Sequence, residues 1–203
     1  EPTPMTFPAT GTQFGILDYC GFPKDEAWYL KSWWTDEPVL HILPHWNLQG
    51  HEGENIELWV YSNCDEVELT VNGKNLGRKT MPKNGHLSWT AIYQPGTVKA
   101  MGYKNGQKIL TRNVETTGAP ARISLTADRS VIRADNRDVA VFRVELQDKE
   151  KRFVPTACDD LTITVNGPVR ILGVGNGDPA YQTTERPTDT NTCLLYTSPS
   201  PRD

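Results

Sequence analysis

The sequence predicts a mainly β protein with two immunoglobulin-like β-sandwich domains, the second of them incomplete. Short segments alternate apolar and polar residues with a period of two, as in NIELWVYS at residues 55–62. Asn-Gly pairs at 72–73 and 105–106 follow such segments and match the turn of a two-residue β-hairpin. About seven short strands at this spacing, between residues 38 and 117, are typical of an immunoglobulin-like sandwich.

The first 34 residues are rich in proline and aromatic residues and predict one helix, from Pro23 to Trp34. Pro23 suits a first helical position, and the acidic residues 25–26 suit the positive end of a helix dipole. An apolar stripe at helical spacing follows, formed by Ala27, Leu30 and Trp34. So short a segment does not bury enough surface to fold alone, so its tryptophans need a partner surface.

The next segment, residues 35–117, carries the first predicted sandwich. In residues 55–62, Leu58 and Val60 are expected to point into the core, while Trp59 and Tyr61 point to the opposite face. A sandwich usually buries a tryptophan that lies in a strand, so core positions are favoured for both Trp59 and Trp89.

Residues 118–192 carry the second predicted sandwich, after a linker at Gly118-Ala119-Pro120. The segments RISLTADRS, DVAVFRVELQD and LTITVNG read as strands. The core is assigned to four residues, with a bulge after the second of them: Val139, Val141, Val144 and Leu146. About five strands fit before the pattern is lost, and a closed sandwich needs more.

Composition excludes several classes of function. The formal net charge is −4 with both signs mixed along the chain, so no basic stripe supports nucleic-acid binding. No apolar run approaches the roughly 18 residues that a membrane-spanning helix needs, so membrane insertion is not predicted. The four cysteines are far apart and include no CxxC pair, which favours thiols over a disulfide framework, a metal site or a redox site.

The carboxylates and histidines of the sequence are better explained by structural roles than by catalysis or metal binding. Most carboxylates lie at outward positions of predicted strands, and Asp25 is better explained by the helix dipole than by catalysis. His41 and His45 are four residues apart, but Pro44 and an extended backbone separate their rings by about 13 Å, so no metal site is predicted. The segment 134–138 (ADNRD) lacks the spaced ligands of a calcium loop and is better explained as a polar loop. No cofactor is implied.

Six tryptophans lie between residues 28 and 89, and an exposed indole is a platform for a sugar ring. Trp46, in LPHWNLQG, follows a proline in a predicted loop and is therefore expected to be the most exposed of them.

Four landmarks in the chain together resemble the C-terminal half of bacterial β-galactosidase-like enzymes of glycoside hydrolase family 2. They are FGILDYCGFPKDEAWYLKSWW after EPTP, WTDEPVLHILPHWN, EVELTVNGKNLG and GVGNGDP, in the order of the family. The resemblance implies that residues 1–34 are the last loop and helix of a catalytic (β/α)8 barrel. It also implies that residues 35–117 and 118–192 are the two immunoglobulin-like domains that follow the barrel.

The same resemblance implies a retaining mechanism by two glutamates at barrel strand ends, which would lie upstream of Glu1. No residue here matches them, so no catalytic residue is assigned and the chain itself is expected to be inactive. Glu1, Phe14 and Trp46 are the candidate substrate-binding residues. The implied partners are the upstream barrel and the carbohydrate substrate of the parent enzyme, and the implied location is periplasmic or secreted. The alternative is a free-standing carbohydrate-binding or adhesive immunoglobulin-like module.

The ending CLLYTSPSPRD, residues 193–203, has neither strand alternation nor a helical stripe. Back-translated with one codon for each residue, it reads as a transposase-derived sequencing adapter. These eleven residues are therefore predicted to be encoded by an adapter rather than by the gene.

Overall fold

A computed structural model describes residues 15–18, 20–176 and, for the backbone alone, 191–195. The described residues contain one helix and eleven strands. They are α1 (Asp25–Trp34), β1 (Leu40–Leu43), β2 (Asn55–Ser62), β3 (Glu66–Val71), β4 (Lys74–Thr80), β5 (Leu87–Ile92), β6 (Thr97–Lys104), β7 (Gln107–Glu115), β8 (Arg122–Ala127), β9 (Phe142–Gln147), β10 (Cys158–Thr162) and β11 (Asn191–Leu195).

The strands β1 to β7 form two antiparallel sheets around one core. A three-stranded sheet has the order β1-β2-β5, and a four-stranded sheet has the order β4-β3-β6-β7. The core cluster takes Leu58 and Trp89 from the first sheet and Val67 and Val98 from the second. Leu58, Val67 and Val98 are fully buried, so the sequence alternation assigned the inward faces correctly.

Both predicted Asn-Gly hairpin turns are confirmed. Asn72 and Gly73 join β3 to β4 with φ of 48° and 81°, and Asn105 and Gly106 join β6 to β7 with φ of 51° and 76°. Positive φ at both central residues is the conformation whose twist matches a two-residue hairpin.

Helix α1 begins two residues later than predicted, at Asp25, and Pro23 pairs as an isolated bridge with Leu17. The apolar stripe is not the face that the helix buries against the described residues, and its need for a further partner surface stays a prediction. Trp34 is 77% exposed, whereas Asp25 and Ser32 are the buried residues of the helix. The buried face follows the spacing Asp25, Tyr29 and Ser32, because this side lies against β1 and β2.

After the first sandwich, β8 and β9 form a two-stranded antiparallel ribbon. The register pairs Ile123 with Leu146 and Leu125 with Val144, so one face is apolar throughout. The predicted core is only partly correct: Leu146 is buried with Val154 and Ala157. Val139 and Val141 are 42% and 65% exposed, because they precede β9 and no described sheet covers them. β8 and β9 pair in continuous register from residue 142, without the expected bulge.

Two further predictions concern the C-terminal residues and the cysteines. The backbone of residues 191–195 pairs antiparallel with β10. The adapter origin of residues 193–203 stays a prediction. Cys20, Cys64 and Cys158 form no disulfide in the described part of the chain.

The segment that links β7 to β8 is held at both ends. At its start, the Thr116 hydroxyl donates to the carbonyl of Trp46, and the side chains of Asn47 and Thr117 share a 2.6 Å hydrogen bond. Further along, the Gly118 N–H donates to Asp148 Oδ2 at 3.0 Å. The linker therefore runs in a fixed path rather than as a free tether.

Asp148 organises the other end of this linker. Its carboxylate is buried and accepts hydrogen bonds from the backbone N–H and the guanidinium of Arg152, which also reaches Glu115. Burial alone would raise the pKa of Asp148. The Arg152 groups and the Gly118 N–H outweigh burial and hold its pKa well below the usual range.

We expect Ile42→Ala to lower the free energy of unfolding by about 2–5 kcal/mol, because Ile42 is 4% exposed in the core of the first sandwich. The matched control is Ile92→Ala, at a position 60% exposed, which should cost less than about 1 kcal/mol. Urea denaturation of both variants measures the difference, and equal losses would contradict this core assignment.

Asp148→Asn is expected to destabilise the chain at neutral pH, because it removes the charged acceptor of Arg152 and Gly118. A carboxylate with a lowered folded pKa stabilises the fold above its unfolded pKa of about 4, and this contribution is lost as the pH falls further. The stability gap to the unsubstituted chain should therefore be constant above about pH 5 and narrow below about pH 4.

Thermal melts at a series of pH values test this dependence. The control is Asp36→Asn, at an exposed residue, which should show no gap at any pH. A gap for Asp148→Asn that does not change with pH would show that the charge is not what matters.

Candidate functional site

The outer face of the three-stranded sheet is the surface on which the candidate site is built. Strand alternation sends Leu58 and Val60 into the core and leaves His41, Trp59 and Tyr61 on the opposite face. His41 lies directly across from Tyr61 in the β1–β2 register. Helix α1 covers this part of the sheet.

Aromatic rings from the helix and the sheet stack on one another. Trp28 of α1 stacks on His41 with ring centroids 5.2 Å apart and planes 8° from parallel. His41 in turn lies 6.4 Å from Tyr61, which also meets the edge of Tyr29 at 5.4 Å. Such pairs contribute about 0.5–1.5 kcal/mol each beyond the area they bury. These ring contacts hold α1 against strands β1 and β2.

A buried polar pair reinforces this contact. Asp25 Oδ1 lies 2.6 Å from His41 Nε2, and the two side chains are 11% and 20% exposed. Asp25 lies in the first turn of α1, as the helix-dipole interpretation expects, but it also holds the sheet. Sequence reasoning missed this pair because its members are sixteen residues apart on different elements.

Two titratable neighbours of this pair, His45 and Tyr61, are uncharged at neutral pH. Burial lowers the pKa of His45, and the nearby Asp25 carboxylate only partly opposes the change. Burial, followed by the charges of Asp25 and Glu26, raises the pKa of Tyr61 to about 12. The His45 ring accepts a hydrogen bond from the Asn47 N–H at Nδ1, at 3.2 Å, so its proton is carried by Nε2.

A cavity of about 400 Å³ opens beside this cluster. It lies where the start of α1, strand β1, the end of β7 and residues 152–155 meet. Aromatic walls come from Trp28 and Phe153. Polar groups on the lining include His45, Asn113, Glu115 and Thr117.

Trp46 does not behave as predicted. It is completely buried rather than exposed, so it presents no ring face to a sugar. Its indole N–H donates to the Gln94 carbonyl at 3.0 Å, and its ring meets the edge of Tyr93 at 4.9 Å. The loop after Pro44 turns inward because both the apolar ring and the N–H find partners inside.

The other two predicted substrate-binding residues, Glu1 and Phe14, lie outside the described residues. Of the two strand tryptophans, Trp89 is buried as expected. Trp59 is only half-buried and stacks on His86, with ring centroids 4.2 Å apart.

The residues considered for metal binding have other roles. Within residues 15–18 and 20–176, no three His, Cys, Asp or Glu side chains are placed to hold a metal ion together. In segment 134–138, Asp135 accepts from two backbone N–H groups and Asp138 pairs with Arg129, as in a self-capped polar loop. No helix in the described part of the chain is long and apolar enough to cross a membrane.

Two protein-family models match the chain. Residues 53–110 match a domain of unknown function, DUF4982, which falls within the first sandwich. Residues 123–196 match glycoside hydrolase family 2 C-terminal domain 5.

Curated relatives point in the same direction. A β-galactosidase of Bacteroides ovatus is 43% identical over 181 residues, which is 88% of this chain and 21% of that protein. A β-glucuronidase of Formosa agariphila is 33% identical over 185 residues, which is 89% of this chain and 18% of that protein. The chain thus spans about a fifth of the length of these relatives.

Solved structures share the fold. A β-glycosidase from Bacteroides vulgatus superposes with a TM-score of 0.85 at 34% identity, over 90% of this chain and 23% of that one. A glycosyl hydrolase family 2 member from Bacteroides cellulosilyticus has a TM-score of 0.83 at 30% identity, over 91% of this chain and 28% of that one. The family-model match, the 43% identity and these superpositions agree, and the chain belongs to glycoside hydrolase family 2.

Proposed function

We propose that this chain is the non-catalytic C-terminal portion of a retaining glycosidase of the β-galactosidase type, where it buttresses the catalytic barrel and shapes the rim of its pocket. The observation that carries the proposal is the two-faced helix α1. One face is held to the sandwich by the Asp25–His41 pair and the Trp28 stack. The opposite side presents Trp34, which is 77% exposed.

An exposed tryptophan on a helix that already packs on one side fits a second packing surface. Ile16 and Leu17, just before the helix, are 42% and 50% exposed and extend the same apolar character. In the proposed layout this surface meets the preceding barrel, of which residues 1–34 are the last loop and helix. The helix would then belong to the barrel by sequence and to the sandwich by contact.

The proposed domain layout continues with an immunoglobulin-like domain at 35–117 and an incomplete second one at 118–192. The three- and four-stranded sheets of β1 to β7 support the first assignment, because an immunoglobulin-type sandwich pairs sheets of this size. A β-galactoside substrate is favoured because the relative at 43% identity is a β-galactosidase. A periplasmic or secreted location completes the proposal.

The alternative is a free-standing carbohydrate-binding or adhesive module. A free-standing module does not require a helix that covers one sheet and exposes a tryptophan on the side facing away from that sheet. A comparison of the chain alone with a longer protein that includes the barrel separates the two functions.

Trp34→Ser is the discriminating substitution. In the chain alone it should change the melting temperature little, because the side chain is largely exposed. In a longer protein that includes the upstream barrel, it should lower the free energy of unfolding by about 3 kcal/mol or more, because a buried tryptophan is lost. Melting curves of both proteins, with and without the substitution, give the four values needed. Equal small effects in both would favour the free-standing module.

The chain alone should not hydrolyse p-nitrophenyl β-D-galactopyranoside, because the two glutamates of the retaining mechanism are expected in the barrel. The longer protein should hydrolyse it. Release of p-nitrophenolate measures both. Turnover by the chain alone, retained through repurification, would overturn the non-catalytic assignment. Activity of the longer protein on the corresponding glucuronide but not the galactoside would overturn only the substrate.

A further inference from the structure

The cavity between the two domains contains polar groups that the fold does not use. The Thr117 hydroxyl accepts a hydrogen bond from Asn47 Nδ2, at 2.6 Å, and so has its own proton left to donate. In the described part of the chain, no hydrogen bond is formed by His45 Nε2 or by the side-chain amide of Asn113. Glu115 meets Arg152 through one carboxylate oxygen, at 3.4 Å, which leaves the other oxygen as an acceptor.

These polar side chains place hydrogen-bond donors and acceptors close together on the lining of one cavity. His45 and Thr117 offer donors, Glu115 offers an acceptor, and the Asn113 amide offers both. Trp28 and Phe153 add aromatic surface. A cavity of about 400 Å³ is within the size range of small-ligand sites, which is about 300–1,000 Å³.

The charge of the lining selects among ligand classes. The lining itself contains two cationic residues, Lys24 and Arg152, and two anionic residues, Asp25 and Glu115. Behind the lining, Arg152 is also paired with the carboxylates of Asp148 and Glu150, which disfavours an anionic ligand further. The lowered pKa of His45 keeps this residue uncharged at neutral pH. A lining without net charge favours a neutral ligand over a phosphate, a carboxylate or an ammonium group, each of which would leave a charge without compensation.

We propose that this cavity binds a neutral saccharide unit, with its hydroxyl groups on His45, Asn113, Glu115 and Thr117 and its apolar ring face on Trp28 or Phe153. Alternating hydroxyl groups need donors and acceptors close together, and the C–H face of the ring needs an aromatic wall. The cavity offers both. Binding here does not depend on the proposed buttressing role, because every residue of the site belongs to this chain.

The test is a titration of the isotopically labelled 203-residue chain with methyl β-D-galactopyranoside, observed by amide and side-chain NMR. Saturable shifts are expected for the Asn113 side-chain amide and the Thr117 backbone amide, with a dissociation constant in the millimolar range at about −4 kcal/mol. Glucuronate is the charged comparison and should bind more weakly.

Asn113→Ala should weaken binding about three- to tenfold, since one or two hydrogen bonds are lost. Asn113 is exposed and its side chain supports no other group, so the fold should be unchanged. The matched control is Asn55→Ala, at an exposed residue of β2 outside the cavity, which should leave the affinity unaltered.

Three outcomes would overturn the proposal. The first is the absence of saturable shifts at about 10 mM galactoside. The second is that shifts are confined to the exposed Trp34, as in non-specific stacking. The third is tighter binding of glucuronate than of the galactoside, which would show that the site prefers an anion. None of these outcomes changes the Trp34→Ser comparison, so the two proposals fail separately.

Discussion

The burial of Trp46 is the contact on which the arrangement of the whole chain depends. Its ring closes the end of the first core against Tyr93, and its N–H is satisfied by Gln94. Its carbonyl accepts a hydrogen bond from the Thr116 hydroxyl. One residue thus fixes the loop after β1, the core and the start of the linker together. The neighbouring Asn47 continues this attachment through its hydrogen bonds with Thr117, which lies on the cavity wall.

A second constraint is the two-sided use of the three-stranded sheet. One face supplies the sandwich core, and the other presents His41 and Tyr61 to helix α1. The Asp25–His41 pair is largely removed from water, so much of its attraction is offset by the cost of desolvating both groups. Its main effect is on geometry, because only one rotation of the helix brings Asp25 to His41 and Trp28 onto the ring. The aromatic contacts supply the favourable energy, and the polar pair sets the orientation.

The elements that the sequence predicted correctly depend on local chemistry. Period-two alternation identifies the inward residues of β2 and β3, and Asn-Gly identifies two hairpins, because both signals are set by neighbouring residues. The wrong predictions depend on distant partners. Trp46 follows a proline in a loop, and only Gln94 and Tyr93, nearly fifty residues away, bring it inside. The Asp25–His41 pair and the cavity are likewise not visible in the sequence, since they arise where elements distant along the chain meet. Val139 and Val141 alternate as core residues do, yet burial requires a covering sheet that periodicity does not supply.

Helix α1 takes part in both proposed features, the packing surface for the barrel and the saccharide-binding cavity. Trp28 and Trp34 are six residues apart, which places them about 120° apart around the helix axis at roughly 100° for each residue. Trp28 forms a wall of the cavity, and Trp34 lies on the exposed side. Because the Asp25–His41 pair and the ring stack fix the rotation of a ten-residue helix, the position of Trp34 and the shape of the cavity are set by the same contacts. A rotation of the helix that moved Trp34 toward the sheet would withdraw Trp28 from the cavity wall. Trp28 on the cavity wall and the exposed Trp34 are therefore held on different sides of the same helix, and the packing that fixes the position of Trp28 also sets the direction of Trp34.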